Sequence, residues 1–369
     1  MNKRKRVVSK SEYIIKRVLI VIGCIMAVGI ILGVTAKIVT IVGRNKLTRN
    51  ANTQGPTMGD DIDSALREDP IYASAWQEGW VALDGKVYEY NQDIRTFLVL
   101  GIDNAHGSKG SEYEELINGG QSDGIFLVIL NPLDESIKIL AVDRNTEVGI
   151  RMIKMGPDGD DAIDYGPIAI QHAYGGGGEY SCELTRDAVS KLLYNMPIHG
   201  YMSIKYTSIP AINDAVGGVT LTLPDNMDVS AVNKSWTPGA TITLKGNDAY
   251  DFVHYRDVNE FESARKRLAR QKLYLKTFIK QMKDKTREDI TLPITVYNSI
   301  KKDVVSDITV DEIGYIASEY SGYNFNGDDI YTMEGETVLQ DGDEFEHFYP
   351  DEEALRRLII ELFYKEVKE

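Results

Sequence analysis

Cysteine is almost absent from this sequence: its 369 residues include only Cys24 and Cys182. Cys24 lies in an uncharged run near the N-terminus that we predict to span a membrane, and Cys182 lies far downstream of it. The two thiols therefore cannot pair. This excludes a disulfide framework and a cysteine metal site.

Several common catalytic signatures are also missing. The sequence contains neither the Gly-x-Ser-x-Gly nucleophile turn nor the His-Glu-x-x-His metal motif. Gly175–Gly178 is not followed by the Lys-Ser/Thr of a P-loop, which favours a flexible loop over a phosphate cradle. The acidic segment Asp158–Asp164 lacks the glycine and final glutamate of a calcium loop, so we interpret it as a solvated turn. The scattered histidines that we interpret as structural or surface residues are His106, His172, His199 and His347.

Cations are in the minority, with 41 lysines and arginines against 56 acidic residues and a formal net charge of −15. This balance argues against general nucleic-acid binding, because the chain as a whole repels phosphate backbones. Two stretches nevertheless concentrate cations, residues 1–17 and His254–Lys272. On so acidic a chain, we interpret the second stretch as a specific site.

The basic N-terminus is followed by the uncharged run Val18–Ala36. A helix of this length spans roughly 28 Å, close to the ~30 Å hydrocarbon core of a bilayer. A cleavable signal peptide is the alternative, but its apolar region is typically only ~7 to 15 residues long. The basic flank should stay in the cytoplasm. We therefore predict a single-pass protein of the cell membrane, with a cytoplasmic tail at 1–17, a transmembrane helix at 18–43 and an extracytoplasmic C-terminal part.

The part beyond the membrane begins with polar sequence. Residues 44–92 are predicted to form a stalk and lead-in, with Asp84-Gly85 as a hairpin turn between two short strands. From residue 93 to 366 apolar strands alternate with helical patterns, which predicts an α/β domain with helices layered around a mostly buried sheet. The clearest strands are TFLVLGID (Thr96–Asp103), GIFLVILNP (Gly124–Pro132) and SIKILAVDR (Ser136–Arg144), and helices are predicted at Cys182–Leu193, Ile209–Val216, Gly246–Arg256, Arg265–Lys283 and Asp351–Glu366.

The predicted helix Arg265–Lys283 has two distinct faces. Arg267, Arg270 and Gln271 are related by steps of three and four residues and therefore share one face. Guanidinium groups are fixed forks of donors that match phosphate oxygens, and the glutamine adds neutral donors beside them. A solvated basic face, or ion pairs with nearby acids, is the alternative interpretation. The opposite, apolar stripe consists of Leu268, Leu275, Phe278, Ile279 and Met282.

Charged residues stand at the ends of the three clearest strands. Asp103 ends the first strand, Asp123 begins the second and Arg144 closes the third. Ligands of α/β sheets bind at strand ends, and Mg²⁺ favours one or two carboxylates together with phosphate oxygens. Turn acids and a surface ion pair are the alternatives.

Seven segments occur in a fixed order along the chain: FLVLGID, QSDGIFLVILNP with SIKILAVDRNTEV, DAVGGVTLTLP, GNDAYDFVHYR followed by RKRLARQK, and FYPDEEALRRLI. Together they resemble the LytR-CpsA-Psr family of cell-wall proteins over roughly Thr96–Tyr364. That family also has a single membrane helix before its catalytic domain. The extent of the resemblance implies that residues 93–366 form the catalytic domain.

The resemblance implies a fold, a reaction and a set of residues. The fold is a three-layer α-β-α sandwich around a central mixed sheet, with an apolar tunnel for lipid. The reaction is transfer of a glycopolymer (teichoic acid, capsule or similar) from a polyprenyl pyrophosphate carrier to peptidoglycan, by a Mg²⁺-dependent phosphotransferase. The residues that the resemblance assigns are Asp103 and Asp123 for the metal, and Arg144, Arg256, Arg267 and Arg270 for catalysis and substrate binding, with Gln271 also binding substrate.

Three residues depart from the family pattern. Gln121 stands in place of an arginine, Asn145 in place of an aspartate, and His254 in place of the first arginine of an Arg-x-Arg pair. A loop at Ala105–Gly120 is also inserted between the two aspartates. These departures leave two alternatives open, a non-catalytic binder and a hydrolase of polyprenyl-pyrophosphate-linked glycans. A DNA-binding attenuator is disfavoured, because the basic cluster lies on the extracytoplasmic side of the predicted helix.

Overall fold

The computed structural model describes residues 55–58, 76–103, 118–154, 160–289, 291–320, 322–339 and 345–367. The predicted basic tail and membrane helix, residues 1–43, lie outside this part of the chain. Within it, none of the helices is both long and apolar enough to cross a membrane. The chain divides into two compact units, Ala51–Ile308 with Gly322–Glu369, and Met1–Asn50 with Thr309–Ser321.

The strands and helices are as follows. The strands are β1 (Val81–Leu83), β2 (Lys86–Tyr90), β3 (Arg95–Ile102), β4 (Ser122–Asn131), β5 (Ser136–Val142), β6 (Glu147–Met152), β7 (Ala162–Pro167), β8 (Gly200–Lys205), β9 (Val219–Thr222), β10 (Thr241–Leu244), β11 (Val304–Ser306), β12 (Ile330–Thr332), β13 (Gly335–Val338), β14 (His347–Pro350) and β15 (Tyr364–Glu366). The α-helices are α1 (Glu179–Leu192), α2 (Ile209–Ala215), α3 (Asn247–His254), α4 (Ser263–Glu288), α5 (Leu292–Ile300), α6 (Val310–Tyr320) and α7 (Glu352–Phe363).

A six-stranded mixed sheet, in the order β11-β8-β3-β4-β5-β12, forms the centre of the larger unit. Strand β4 runs antiparallel to both of its neighbours, β3 and β5, whereas β8 runs parallel to β3 and β12 parallel to β5. The predicted hairpin between β4 and β5 is confirmed, and its turn places Glu135 at a φ of 50°. A mixed α/β fold is therefore the correct class.

Side chains of β4 alternate between the two faces of this sheet, as strand geometry requires. Ile125, Leu127 and Ile129 join the core that also contains residues of α1 and α7, including Val189 and Ile359. The intervening Phe126 and Val128 face the other side, where they pack in a cluster with Leu268, Leu275 and Ile279 of α4. Helices thus cover both faces of the sheet, which agrees with the expected α-β-α layering.

The ends of several helices differ from the prediction. The last helix, α7, ends at Phe363, and Tyr364–Glu366 continues as a strand that pairs with β2. The predicted helix to Glu366 was therefore wrong over its last turn, because backbone pairing with the lead-in hairpin replaces helical hydrogen bonds there. Helix α4 is longer than predicted and begins at Ser263. The lead-in turn at Asp84-Gly85 is confirmed, with positive φ at both residues.

The smaller unit is described only at helix α6. Its first turn is capped by Glu312, whose carboxylate accepts hydrogen bonds from the backbone N–H and the hydroxyl of Thr309 at 2.6 and 2.8 Å. A carboxylate near a helix N-terminus also interacts favourably with the helix dipole.

Candidate functional site

A pocket of about 470 Å³ lies at the edge of the sheet where β3 ends, β4 begins and β5 ends. The antiparallel order of these strands brings together residues that are far apart in sequence. The polar side chains that line the pocket are Asp103, Gln121, Asp123, Arg144, Asn145, His254, Arg256 and Arg267, and the apolar ones are Pro167, Ile170, Val258 and Phe345. The pocket thus combines five of the predicted site residues with all three departures from the family pattern.

The buried carboxylate of Asp123 lies between two arginines. Its Oδ2 accepts a hydrogen bond from Arg267 Nη1 at 2.7 Å, and its Oδ1 lies 2.6 Å from Arg144 Nε. Burial raises the pKa of Asp123, but the two guanidinium charges outweigh burial, so its pKa is below the ordinary value. Arg267 shows the converse: burial opposes its charge, yet Asp123 raises its pKa. The pair is ionised at neutral pH.

Arg144 is held by two of the three departures. Its Nη2 donates to the side-chain oxygen of Gln121, and its Nη1 donates to Asn145 Oδ1 at 3.0 Å. Both acceptors are neutral, so they orient the guanidinium without cancelling its charge.

Three guanidinium nitrogens of pocket-lining residues are sealed from solvent without a hydrogen-bond partner among the described residues: Arg144 Nε, Arg256 Nε and Arg267 Nη2. Of these, Arg144 Nε lies 2.6 Å from Asp123 Oδ1 as an ion pair. Burial, together with repulsion from Arg144 and Arg267, lowers the pKa of Arg256 below its usual range. An unpaired buried donor costs free energy comparable to a lost hydrogen bond. An anion that accepts from these nitrogens would remove that cost.

Arg270 and Gln271 do not line the pocket. Arg270 is buried, and its guanidinium donates to the backbone carbonyls of Phe252, at 2.8 Å, and of Tyr255. Gln271 Nε2 donates to Val253 O at 3.1 Å. These carbonyls stand at the C-terminal end of α3, where helix carbonyls need outside donors. Both side chains therefore hold the last turn of α3, from which His254 and Arg256 enter the pocket; their predicted contact with substrate stays a prediction.

Two glycines within the strands make room for a buried tyrosine next to the pocket. A Cβ at Gly101 would lie 2.9 Å from the ring of Tyr206, and one at Gly124 would lie 2.7 Å from its hydroxyl. That hydroxyl accepts a hydrogen bond from Gln271 Nε2 at 2.8 Å. The glycines of Gly-x-Asp and Ser-Asp-Gly thus leave room for the tyrosine, whose ring also meets His254 of α3 edge-on.

Sequence reasoning missed Glu346, a buried carboxylate beside the pocket. One oxygen accepts the backbone N–H of Glu262, which has a φ of 58° immediately before α4, and the other lies 3.5 Å from Asn145 Nδ2. Glu346 therefore links the N-terminus of α4 to the loop after β5. No sequence signal distinguished it from the neighbouring acids, because its partners are remote in the chain.

The remaining sequence candidates lie outside the pocket. His172 is buried, and its Nδ1 lies 2.9 Å from Gly119 O. His199 is also buried, with a pKa that burial lowers to about 3, and it contacts Thr96. His347 is paired with Glu147 at 2.7 Å. These three histidines confirm the structural interpretation, whereas His106 lies outside the described residues.

The pocket also contains groups suited to a divalent cation. Within the described part of the chain, Asp103, Asp123 and His254 each bring one potential ligand atom to within 4.8 Å of the other two. The two carboxylates fit the preference of Mg²⁺ for oxygen ligands, and a bound phosphate would complete its coordination.

The larger unit is thus a mixed α/β domain in which arginines from the segments after β5 and α3 and from α4 meet two carboxylates in one pocket at the edge of the central sheet. The chain belongs to the LytR_cpsA_psr family, whose sequence model matches residues 60–360.

Named relatives support this assignment. The polyisoprenyl-teichoic acid–peptidoglycan teichoic acid transferase TagU of Bacillus cereus is 28% identical over 238 residues, which cover 64% of this chain and 67% of the relative. The TagU of Halalkalibacterium halodurans is 26% identical over 298 residues, 81% of this chain and 84% of the relative.

Solved structures share the fold. Bacillus subtilis TagV matches with a TM-score of 0.54 and 21% identity over 73% of this chain and 95% of that one. TagT bound to LI-WTA matches with a TM-score of 0.52 and 19% identity over 73% of this chain and 89% of that one.

Proposed function

We propose that this protein is a membrane-anchored phosphotransferase that joins a polyprenyl-pyrophosphate-linked glycopolymer to peptidoglycan outside the membrane. Family membership and the names of the TagU relatives support the reaction class. The uncharged run Val18–Ala36 with its basic flank supports a single-pass anchor and an extracytoplasmic domain.

The observation that carries the proposal is a pair of buried guanidinium nitrogens on pocket-lining residues, Arg256 Nε and Arg267 Nη2, that form no hydrogen bond with the described residues. With Arg144, three arginines face two carboxylates, Asp103 and Asp123. The surplus of positive charge suits a pyrophosphate diester, which carries about two negative charges. On a chain with a net charge of −15, such a local reversal of sign favours an anionic ligand.

The chemistry follows from this arrangement. A hydroxyl oxygen of the acceptor sugar attacks the phosphorus that bears the glycan and forms a new P–O bond. The bond from that phosphorus to the bridging oxygen breaks, its electron pair leaves on polyprenyl phosphate, and the hydroxyl proton is released to a base. Phosphoryl transfer needs positioning and charge stabilisation more than covalent protein chemistry. Arg144, Arg256 and Arg267 supply positioning and charge stabilisation, because they bind the pyrophosphate and stabilise the charge that develops on its oxygens.

A divalent cation, which the family resemblance gives as Mg²⁺, would be held by Asp103 and Asp123. When bound, it neutralises phosphate charge and orients the transferred group. Asp123 has a second task, because it fixes Arg267 and Arg144 in place.

The proposal is tested with the full-length chain in detergent, a radiolabelled polyprenyl-pyrophosphate-linked saccharide, Mg²⁺ and peptidoglycan fragments. We expect label on peptidoglycan together with release of polyprenyl phosphate. Arg256→Ala should lower transfer by roughly 10³-fold, the low end of the range for an arginine that stabilises phosphoryl-transfer charge. Lys266→Ala is the matched control, because this exposed cation of α4 pairs with Glu260 away from the pocket. Release of polyprenyl phosphate without labelled peptidoglycan would instead identify a hydrolase, and binding without release a non-catalytic binder.

A further inference from the structure

We infer that His254 is the third protein ligand of the divalent-cation site, beside Asp103 and Asp123, and that it shifts the site from Mg²⁺ towards Mn²⁺. This rests on the proposed function only for the role of the cation. Its geometric basis is the convergence of the three side chains, one ligand atom of each lying within 4.8 Å of the others. Two ligands on opposite sides of an ion bonded at about 2.1 Å lie about 4 Å apart, so small side-chain adjustments suffice.

The imidazole is fixed in a direction that suits coordination. Its ring stacks on Tyr250, with centroids 4.6 Å apart and planes inclined by 21°, and meets Tyr206 edge-on at 5.5 Å. Its Nε2 is sealed from solvent and forms no hydrogen bond with the described residues. A buried nitrogen that is held in place without a hydrogen bond points to a missing ligand.

A simple ion pair is the competing explanation, because Nε2 lies 3.3 Å from Asp103 Oδ2. That pair involves only one of the two carboxylates near the imidazole, whereas a cation would contact both. The oxygens of Asp123 are already engaged by Arg267 and Arg144. Each carboxylate oxygen has a second lone pair, so Asp123 can hold the arginines and a cation at once.

The ligand set determines the preferred metal. Mg²⁺ favours oxygen ligands only, whereas imidazole is typical of transition-metal sites. Two carboxylates and one imidazole should therefore bind Mn²⁺ more tightly than Mg²⁺. His254 stands where the family resemblance gives an arginine, which could not coordinate a cation.

The test uses full-length protein in detergent, with Mn²⁺ alone as the probe. Pulsed electron paramagnetic resonance of bound Mn²⁺ should show modulation from a coordinated nitrogen in the wild type and none in His254→Ala. In titrations, His254→Ala should weaken Mn²⁺ binding by at least about 10-fold while changing Mg²⁺ binding much less. His254→Asp, which makes all three ligands carboxylates, should bind both ions but without the nitrogen signal. His347→Gln is the matched control, because it removes an imidazole outside the pocket and should keep the signal.

Absence of nitrogen modulation in the wild type, or Mn²⁺ binding that His254→Ala leaves unchanged, would overturn the inference in favour of the ion pair. The wild-type spectrum decides the matter even where a variant does not fold. Transfer is measured separately. A protein that shows the nitrogen signal but transfers nothing would refute the proposed function and support the cation site. A protein that transfers the glycopolymer without the nitrogen signal would support the proposed function and refute His254 as a ligand.

Discussion

Arg267 Nη1 donates to Asp123 Oδ2 at 2.7 Å, and both side chains are almost completely buried. This bond joins the arginine helix α4 to strand β4, which begins at the pocket. Removing one member of a buried ion pair leaves the other uncompensated, which typically costs about 3–5 kcal/mol. Arg267 thus has a structural task as well as a proposed catalytic one.

We therefore expect Arg267→Ala to lower the free energy of unfolding by about 3–5 kcal/mol and to abolish transfer. Arg256→Ala should lower transfer by roughly 10³-fold while leaving stability unchanged or slightly increased, because Arg256 is repelled by Arg144 and Arg267. Denaturant unfolding of the full-length chain in detergent measures the stability of both variants, and the radiolabel assay measures their transfer. Equal stability of the two variants would show that the Asp123 pair contributes nothing to folding.

The same pair predicts a dependence on acid. The pKa of Asp123 is lowered in the folded protein, so its contribution to stability is complete above its unfolded pKa of about 3.9 and is lost as pH falls through the lower folded value. Unfolding measured from pH 6 downward should show a loss of stability at the acid end. In Asp123→Asn the free energy of unfolding should fall less steeply with decreasing pH, since the amide does not titrate. An identical slope in both proteins would assign the acid sensitivity to other carboxylates.

Arg270 is expected to act through α3 rather than on substrate. Burial and the nearby Arg267 lower its pKa to about 10, and its donors satisfy the carbonyls of Phe252 and Tyr255. Arg270→Ala should therefore destabilise the fold and weaken pyrophosphate binding together, because the segment that carries His254 loses its support. Arg270→Lys should recover part of both. An Arg270→Ala protein with full stability but no binding would show direct contact with substrate and confirm the original assignment.

Local sequence pattern predicted the three central strands and the charged residues at their ends. The apolar runs correctly indicated β3, β4 and β5, and the short connection between β4 and β5 correctly indicated their hairpin. The pairing of β3 with β4, which brings Asp103, Asp123 and Arg144 to one edge, was not predicted, because a long loop separates these two strands. Helical spacing also correctly placed Arg267 and Arg270 on one face of α4.

That face, however, contacts both the pocket and the C-terminal end of α3. Only tertiary packing determines that Arg267 lines the pocket while Arg270 contacts the end of α3. The roles of His254 and Glu346 were hidden for the same reason. His254 shares its pocket with residues more than a hundred positions away in sequence, such as Asp123. Glu346 lies in the segment after β13 and contacts Asn145, which follows β5.

The orientation of the chain is open to a direct test. The charge pattern predicts that residues 1–17 are cytoplasmic and the C-terminal domain extracytoplasmic. A reporter that is active only outside the cytoplasm, fused after residue 369, should be active, and the same reporter before residue 1 should not. A reversed result would place the arginine pocket in the cytoplasm, away from peptidoglycan.

The pair Asn145 and Glu346 explains one departure from the family and yields the sharpest prediction. Asn145 Nδ2 lies 3.5 Å from Glu346 Oε2, and both residues are buried. Restoring the family residue with Asn145→Asp would place two carboxylates side by side, so it should destabilise the fold. Glu346→Gln in the same chain should relieve the repulsion, and the two changes should couple by about 0.5–3 kcal/mol in a double-mutant cycle followed by denaturant unfolding. Additive effects would mean that Glu346 does not take the place of the missing aspartate. Strong coupling would show that this chain keeps a carboxylate next to position 145 but supplies it from a different segment.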